Sequence, residues 1–295
     1  YTYVTYNMNG LSAYHAGTPA RLARYNRLLA NIKALSLTAN IIFLQETHLN
    51  HLDFISLNSI LPSWQIFYSN KSSRSGGVAT LISPLVHSSH IVTFAPIAAE
   101  VQGHALPLLL TPKEPHNPTI LLHNLYLPTG KHQSDRMADV LDACCSVAPA
   151  QHNIAGGDMN FVGVAEDTSS KRPHALSQRA RDSWAKFLLT FRLIEAVQPL
   201  HSFYRITDTL HHSRSARLDR LFHSMEEVDR QLYQPSSYIP HIPHSLLAAY
   251  TAIGEREELD SADIVLSMTA ARIFLPDEVS DDEDDDDDDA LLPRP

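Results

Sequence analysis

The sequence predicts an α/β fold in which two β-sheets pack face to face with helices on the outside. Three observations carry this. Many short apolar runs alternate with a few amphipathic helices, a β-rich rhythm that suits two packed sheets better than one doubly wound sheet. Of the 295 residues, 44% are apolar, enough for one large core and hence one domain. Four strings each set a carboxylate or carboxamide at the end of an apolar run, where open α/β sheets build ligand sites. They are Asn7-Met8-Asn9-Gly10-Leu11, Leu44-Gln45-Glu46-Thr47-His48, Gly157-Asp158-Met159-Asn160 and Arg217-Leu218-Asp219-Arg220.

The elements follow in order. Tyr1 to Tyr6 reads as a strand ending at Asn7. Thr18-Pro19 opens a helix, with Thr18 as N-cap and Pro19 at the first helical position. Its apolar face is Leu22, Tyr25, Leu28, Leu29, Ile32 and Leu35. Ile41-Ile42-Phe43-Leu44 is a fully apolar central strand that delivers Glu46 at its C-terminal end. Trp64 to Tyr68 and Val78 to Ser83 are further strands, joined through Ser72-Ser73-Arg74-Ser75-Gly76-Gly77. Ile91 to Phe94, Ala99 to Leu110 (weakened by Pro107) and Thr119 to Leu125 are strands as well. Ser134 caps a helix with Met137, Val140, Leu141 and Cys144 inside. Asn153 to Gly156 is a strand leading to Asp158, and Val162 to Arg172 is a loop. A helix carrying Trp184, Phe187, Leu188 and Phe191 follows, then strands near Leu218 to Phe222 and Ser245 to Ile253.

Charge is unevenly spread. Eleven of the 33 acids lie in Asp277–Asp289, leaving 22 acids against 22 of the 23 bases. The body is near neutral, which argues against an electrostatically driven, tight nucleic-acid binder but admits an enzyme gripping a few phosphates. The acidic run repels itself and is expected to be disordered. The domain is expected to span residues 1–255, with 256–295 a C-terminal extension ending in that tail. Adjacent Cys144 and Cys145 suit a reducing compartment. No signal peptide or apolar run of membrane length is present. An intracellular location, the nucleus included, is therefore expected, without secretion. Tyr1 already lies in a strand, so the chain is expected to be cut from something longer or mis-started.

Hydrolysing a phosphodiester requires a divalent metal, a group that aims a water, and donors for the non-bridging oxygens. Mg²⁺ prefers oxygen ligands and keeps several waters, so one or two carboxylates suffice. Glu46 is the candidate metal ligand, although a glutamate after a strand is also an ordinary surface residue. Asp158 follows Gly156-Gly157, which exposes its carboxylate; a turn aspartate bonding its own backbone is the alternative. Asn160 is placed to donate to a phosphate oxygen. Asn7 and Asn9 share one face of an extended strand. Asp219 sits inside an apolar strand and needs a partner, for which His244 is the candidate because an Asp–His pair orients the imidazole. Tyr126 either donates to phosphate or packs. Each signal is weak alone; their conjunction in this order is specific.

On these strings the chain resembles the endonuclease/exonuclease/phosphatase superfamily, and is most similar to the endonuclease domain of non-LTR (LINE-type) retrotransposons. Ser75-Gly76-Gly77-Val78 and Asn124-Leu125-Tyr126-Leu127-Pro128 add to the resemblance, which covers residues 1–253. It implies a four-layer α/β sandwich of two mixed sheets flanked by helices (DNase I-like). It also implies a Mg²⁺-dependent nick, with Mn²⁺ as a substitute, that leaves a 3′-hydroxyl and a 5′-phosphate on DNA. By family role Glu46 binds metal with Asn9 close by, and Asn7 braces the site. Asp158 orients or deprotonates the water, Asn160 and Tyr126 contact the phosphate, and His244, held by Asp219, stabilises the developing charge. One departure stands out. The family closes with Ser-Asp-His, whereas here Pro243 precedes His244, removing a carboxylate and a backbone donor.

Three further readings compete with a DNA nickase: a catalytically impaired retroelement relic, a phosphatase or phosphodiesterase of small or lipid substrates, and a non-catalytic protein whose acidic tail takes a basic partner. A monomer is expected.

Overall fold

The computed structural model describes residues 1–8, 10, 18–70, 76–128, 134–161, 176–196, 203–205, 214–216, 219–224 and 248–251. Two mixed sheets dominate it. The first runs in the order β13 (Ala248–Thr251), β1 (Thr2–Asn7), β2 (Ile41–Gln45), β4 (Val78–Ile82), β3 (Gln65–Ser69). The second runs β5 (His90–Phe94), β6 (Ala105–Pro112), β7 (Ile120–Tyr126), β8 (His152–Asp158), β12 (Asp219–His223), β9 (Ile194–Glu195). A small ribbon pairs β10 (Phe203–Arg205) with β11 (Arg214–Ala216). β1 and β2 are parallel, as are β7 and β8. Helices α1 (Pro19–Leu35) and α4 (Ser134–Cys144) lie between the two strands of each pair in the chain.

Side-chain alternation sorts the strands into layers. On β2, Ile41 and Phe43 face the gap between the sheets, while Ile42 and Leu44 face α1 and α2 (His51–Ile60). On β7, Ile120 and Leu122 face the gap, while Leu121 and Leu125 face α4 and α5 (Gln178–Thr190). The molecule is therefore a four-layer sandwich, helix–sheet–sheet–helix, with three stacked cores. The predicted fold class is the observed one.

Several local expectations differ. Leu22 is exposed, as are all of residues 21–24; the buried face of α1 begins at Tyr25. Thr18 occupies the N-cap position with extended backbone, but its side chain makes no capping bond; Pro19 starts the helix. Ser134 is the first helical residue rather than a cap outside it. The run from Ala99 splits into a 3₁₀ turn, Ala99–Val101, and β6. Pro107 sits within β6 without breaking it. Its carbonyl accepts from Ala95 N at 3.1 Å, so its missing N–H falls on the same side, just past the last β5–β6 pair, Phe94 with Leu108. Two helices were not foreseen. α2 is opened by a reciprocal cap between Asn50 and Asp53, and α3 (Pro84–Ser89) is a six-residue turn of helix. The expected loop 162–172 and the acidic tail lie outside the described residues.

At one end of the sandwich the inward faces change character. Thr5 and Asn7 on β1, Gln45 on β2, Asn124 and Tyr126 on β7, and Asp158 on β8 continue the inward positions that are apolar further along each strand. Six polar side chains thus meet between two sheets at the C-terminal ends of their strands.

Candidate active site

A buried amide ladder forms the floor. Gln45 donates through Nε2 to Asn124 Oδ1 at 2.8 Å and accepts from Thr5 Oγ1 at 3.1 Å. Asn124 Nδ2 donates to the carbonyls of Ala79 (2.8 Å) and Leu44 (3.2 Å). All three polar residues are fully buried. Because every group is paired, the ladder fixes how β7 of one sheet sits against β2 and β4 of the other. Sequence reasoning assigned no role to Gln45 or Asn124. The signal present was a lone amide inside the apolar run Ile120–Leu125, which has to find partners.

Above this floor Asn7 joins two carboxylates. Its Nδ2 donates to Asp158 Oδ2 at 2.7 Å and to Glu46 Oε1 at 3.1 Å. Glu46 follows β2 with φ at +48°, which turns its side chain off the strand toward Asn7. Asp158 closes β8, where Gly157 with φ at +148° lets the chain pass against Leu125. A Cβ on Gly157 would lie 1.8 Å from the Leu125 carbonyl oxygen, so no other residue fits. Asp158 Oδ1 accepts from the backbone N–H of Asn160 at 2.9 Å. Burial, and then the neighbouring Glu46 charge, push the Asp158 carboxyl up to about 7.

Tyr126 stands beside Asp158 in the β7–β8 register. Burial raises its phenol above the ordinary value, with the Glu46 and Asp158 charges adding to the effect; the hydroxyl stays protonated and is hydrogen-bonded to Glu46. His104 stacks on the Tyr126 ring at 5.9 Å and 4°, and its Nδ1 lies 2.9 Å from the Tyr126 carbonyl. Nothing in the sequence marked His104 as a support for Tyr126. Asn160, with φ at +52°, donates through Nδ2 to the Leu127 carbonyl at 2.8 Å. Asp219 is 2% exposed and pairs directly across from Asp158, so it points into the same gap.

The structure thus brings Asn7, Glu46, Tyr126, Asp158, Asn160 and Asp219 to one end of the sandwich. Asn9, Pro243 and His244 lie outside the described residues. Two more side chains flank the site. Arg24 Nη2 donates to the Met8 carbonyl at 3.3 Å. His48, with φ at +46°, packs where a Cβ on Gly10 would come within 2.9 Å of its Nδ1.

The donor set fits a hard divalent cation. Both carboxylates offer oxygen, and burial together with the neighbouring Glu46 charge holds Asp158 partly protonated, so a bound cation would favour its charged form. Among the described residues no group of three or more His, Cys, Asp or Glu gathers as a closed metal cage. Mg²⁺ needs none, since one or two carboxylates plus waters hold it.

The endonuclease/exonuclease/phosphatase family matches residues 4–235, most of the chain. The chain belongs to this family. No curated protein sequence matches it. Solved structures show the same fold. The AP endonuclease LMAP from Leishmania major is 14% identical, with 86% of this chain and 88% of that one covered and a TM-score of 0.61. A variant of the 3′ phosphatase NExo from Neisseria, bound to a product DNA hairpin, is 15% identical over 86% and 99%, with a TM-score of 0.57. The catalytic domain of Xenopus laevis APE2 is 15% identical over 86% and 94%, with a TM-score of 0.53. At these identities the likeness is one of fold.

Proposed function

We propose that this chain is a Mg²⁺-dependent phosphodiesterase that nicks DNA, leaving a 3′-hydroxyl and a 5′-phosphate, and that it derives from a retroelement endonuclease. The observation that carries the chemistry is Asn7 holding Glu46 of one sheet and Asp158 of the other through a single amide nitrogen. DNA as substrate is supported by the fold likeness to an AP endonuclease and to a phosphatase bound to a DNA hairpin.

Glu46, with Asn9 as a second ligand by family role, would hold Mg²⁺ or Mn²⁺, which when bound offsets charge on the phosphate oxygens. Asp158 aims the attacking water and takes its proton; a carboxyl pushed up to about 7 is a usable base at neutral pH. Asn7 keeps both carboxylates in place. Tyr126 fixes the Glu46 carboxylate with its hydroxyl. Asn160 presents its amide to a non-bridging oxygen. By family role His244, partnered by Asp219, would stabilise charge on the phosphate oxygens.

The deciding assay is nicking of supercoiled plasmid in Mg²⁺. Cutting that disappears in EDTA and in Glu46→Ala supports the proposal. Two observations favour other readings. Pro243 motivates a catalytically impaired relic, and cutting that appears only in Pro243→Asp would select it. The fold likeness to a 3′ phosphatase motivates a phosphatase, and release of phosphate from an inositol phosphate without plasmid nicking would select that.

A further inference from the structure

No aspartate or glutamate precedes Glu46, while Arg21, Arg24, Arg27 and Lys33 all fall in those first 45 residues. In a chain of net charge −10 this stretch is wholly cationic. All four bases lie on α1 and all four are exposed. The helix has no acid of its own to pair with them. Arg21, Arg24 and Arg27 recur every third residue, a slanted row that rises about 9 Å along the helix axis and turns about 120° around it.

The row stands at the site. α1 begins beyond the end of β1 and leads back to the start of β2, which is parallel to β1, so the first turns of α1 lie at the active end of the sandwich. Arg24 reaches the carbonyl of Met8, the residue after Asn7. Its guanidinium also feels the Glu46 charge, and it acts in turn on His48. Tyr6, buried beneath the helix, has its hydroxyl bound by Asn31 at 3.1 Å and feels both Arg24 and Arg27. Buried side chains thus anchor the helix that presents the row, and the positive end of the 17-residue helix dipole adds to its field.

Resting on the nuclease reading above, we infer that Arg21, Arg24 and Arg27 form a phosphate track that grips the DNA backbone away from the bond being cut. Phosphates of one strand succeed each other every 3.4 Å or so along the duplex axis, so a row of about 9 Å meets two or three of them. The track selects a polymer over a small phosphoester. It also reconciles a near-neutral body with a polyanionic substrate, because these three cations stand in a stretch without acids at the end where they are used.

The test uses the full chain and its Arg21→Gln/Arg27→Gln double variant, both exposed positions; Arg24 is left intact because it holds Met8. Binding to a fluorescent 20-base-pair duplex is measured in EDTA between 50 and 200 mM KCl. The double variant is expected to bind about tenfold more weakly and to lower the slope of log affinity against log salt by about 2, near 0.9 for each phosphate no longer neutralised. Turnover of bis(p-nitrophenyl) phosphate in Mg²⁺, which carries no flanking phosphate, is expected to be unchanged, as is the melting temperature. An unchanged slope, or loss of the small-diester activity alongside DNA affinity, overturns the track. So does an Arg dependence that appears only as the loss of an interaction with the segment Asp277–Pro295. The two readings separate. Arg-dependent duplex binding without cleavage sinks the nuclease and keeps the track, whereas nicking with unaltered salt dependence does the reverse.

Discussion

Asn7 Nδ2 lies 2.7 Å from Asp158 Oδ2 although 151 residues separate them, and the bond spans the gap between the two sheets. The same nitrogen reaches Glu46 at 3.1 Å. One neutral amide therefore sets the spacing of two carboxylates, and burial together with the nearby Glu46 charge lets Asp158 keep its proton near neutrality.

Asn7→Ala should leave both carboxylates in place with nothing between them. The missing charge-assisted bonds amount to about 3 kcal/mol, so kcat on plasmid should fall roughly 100-fold. Steady-state nicking kinetics beside a melting curve checks this. A proportional collapse of the melting temperature would assign Asn7 to the fold instead.

Asp158→Ala should cost more than Tyr126→Phe. On the proposed mechanism the first removes the group that would aim the water and accept its proton, a loss of about 10³-fold or more in kcat. The second removes one hydrogen bond to Glu46, about tenfold. Equal losses in matched kinetics would contradict this division of labour.

How much of this was legible in the sequence depends on what each residue type reports locally. Glu46 and Asp158 were legible because each ends an apolar run, and period-two alternation then fixes the face of every strand residue. The contact between Asn7 and Asp158 was not, since nothing local encodes how one sheet lies on another. Pro107 obscured β6 because a proline penalises a strand until its missing donor is known to point past a neighbour's end. α2 was overlooked despite Asn50 and Asp53 at capping distance, for only Asp53 and Leu57 of that helix are buried and its apolar periodicity is faint. His104 was missed because stacking on Tyr126 leaves no spacing rule to read.

Gly157→Ala should be among the most damaging single changes. The added methyl would sit 1.8 Å from the Leu125 oxygen at a backbone angle that side chains avoid. β7 and β8 would have to part, at a cost of about 4 kcal/mol or more. Urea titration of the variant against the parent measures it; a loss under about 1 kcal/mol would mean the strands adjust freely.

His123 sets an acid limit on stability. It is fully buried against Phe187 and Phe191 with neither ring nitrogen bonded, and burial brings it down to about 3. A depressed histidine binds its proton only on unfolding, so its stabilising effect is complete above the unfolded value near 6.5 and is lost as pH falls toward about 3. At pH 4.5 the loss should be roughly 3 kcal/mol. His123→Leu, which suits the phenylalanine surroundings, should flatten the dependence of unfolding free energy between pH 7 and 4.5. Parallel curves for the two proteins would show the imidazole to be hydrated.

Glu46 emerges with the opening strands of one sheet, and Asp158 follows much later with the other. Neither half of the sandwich holds a working pair by itself. On the proposed function, a nascent or partly unfolded molecule is therefore chemically silent toward phosphodiesters, and any capacity to break a strand would arrive only when the two halves close on each other.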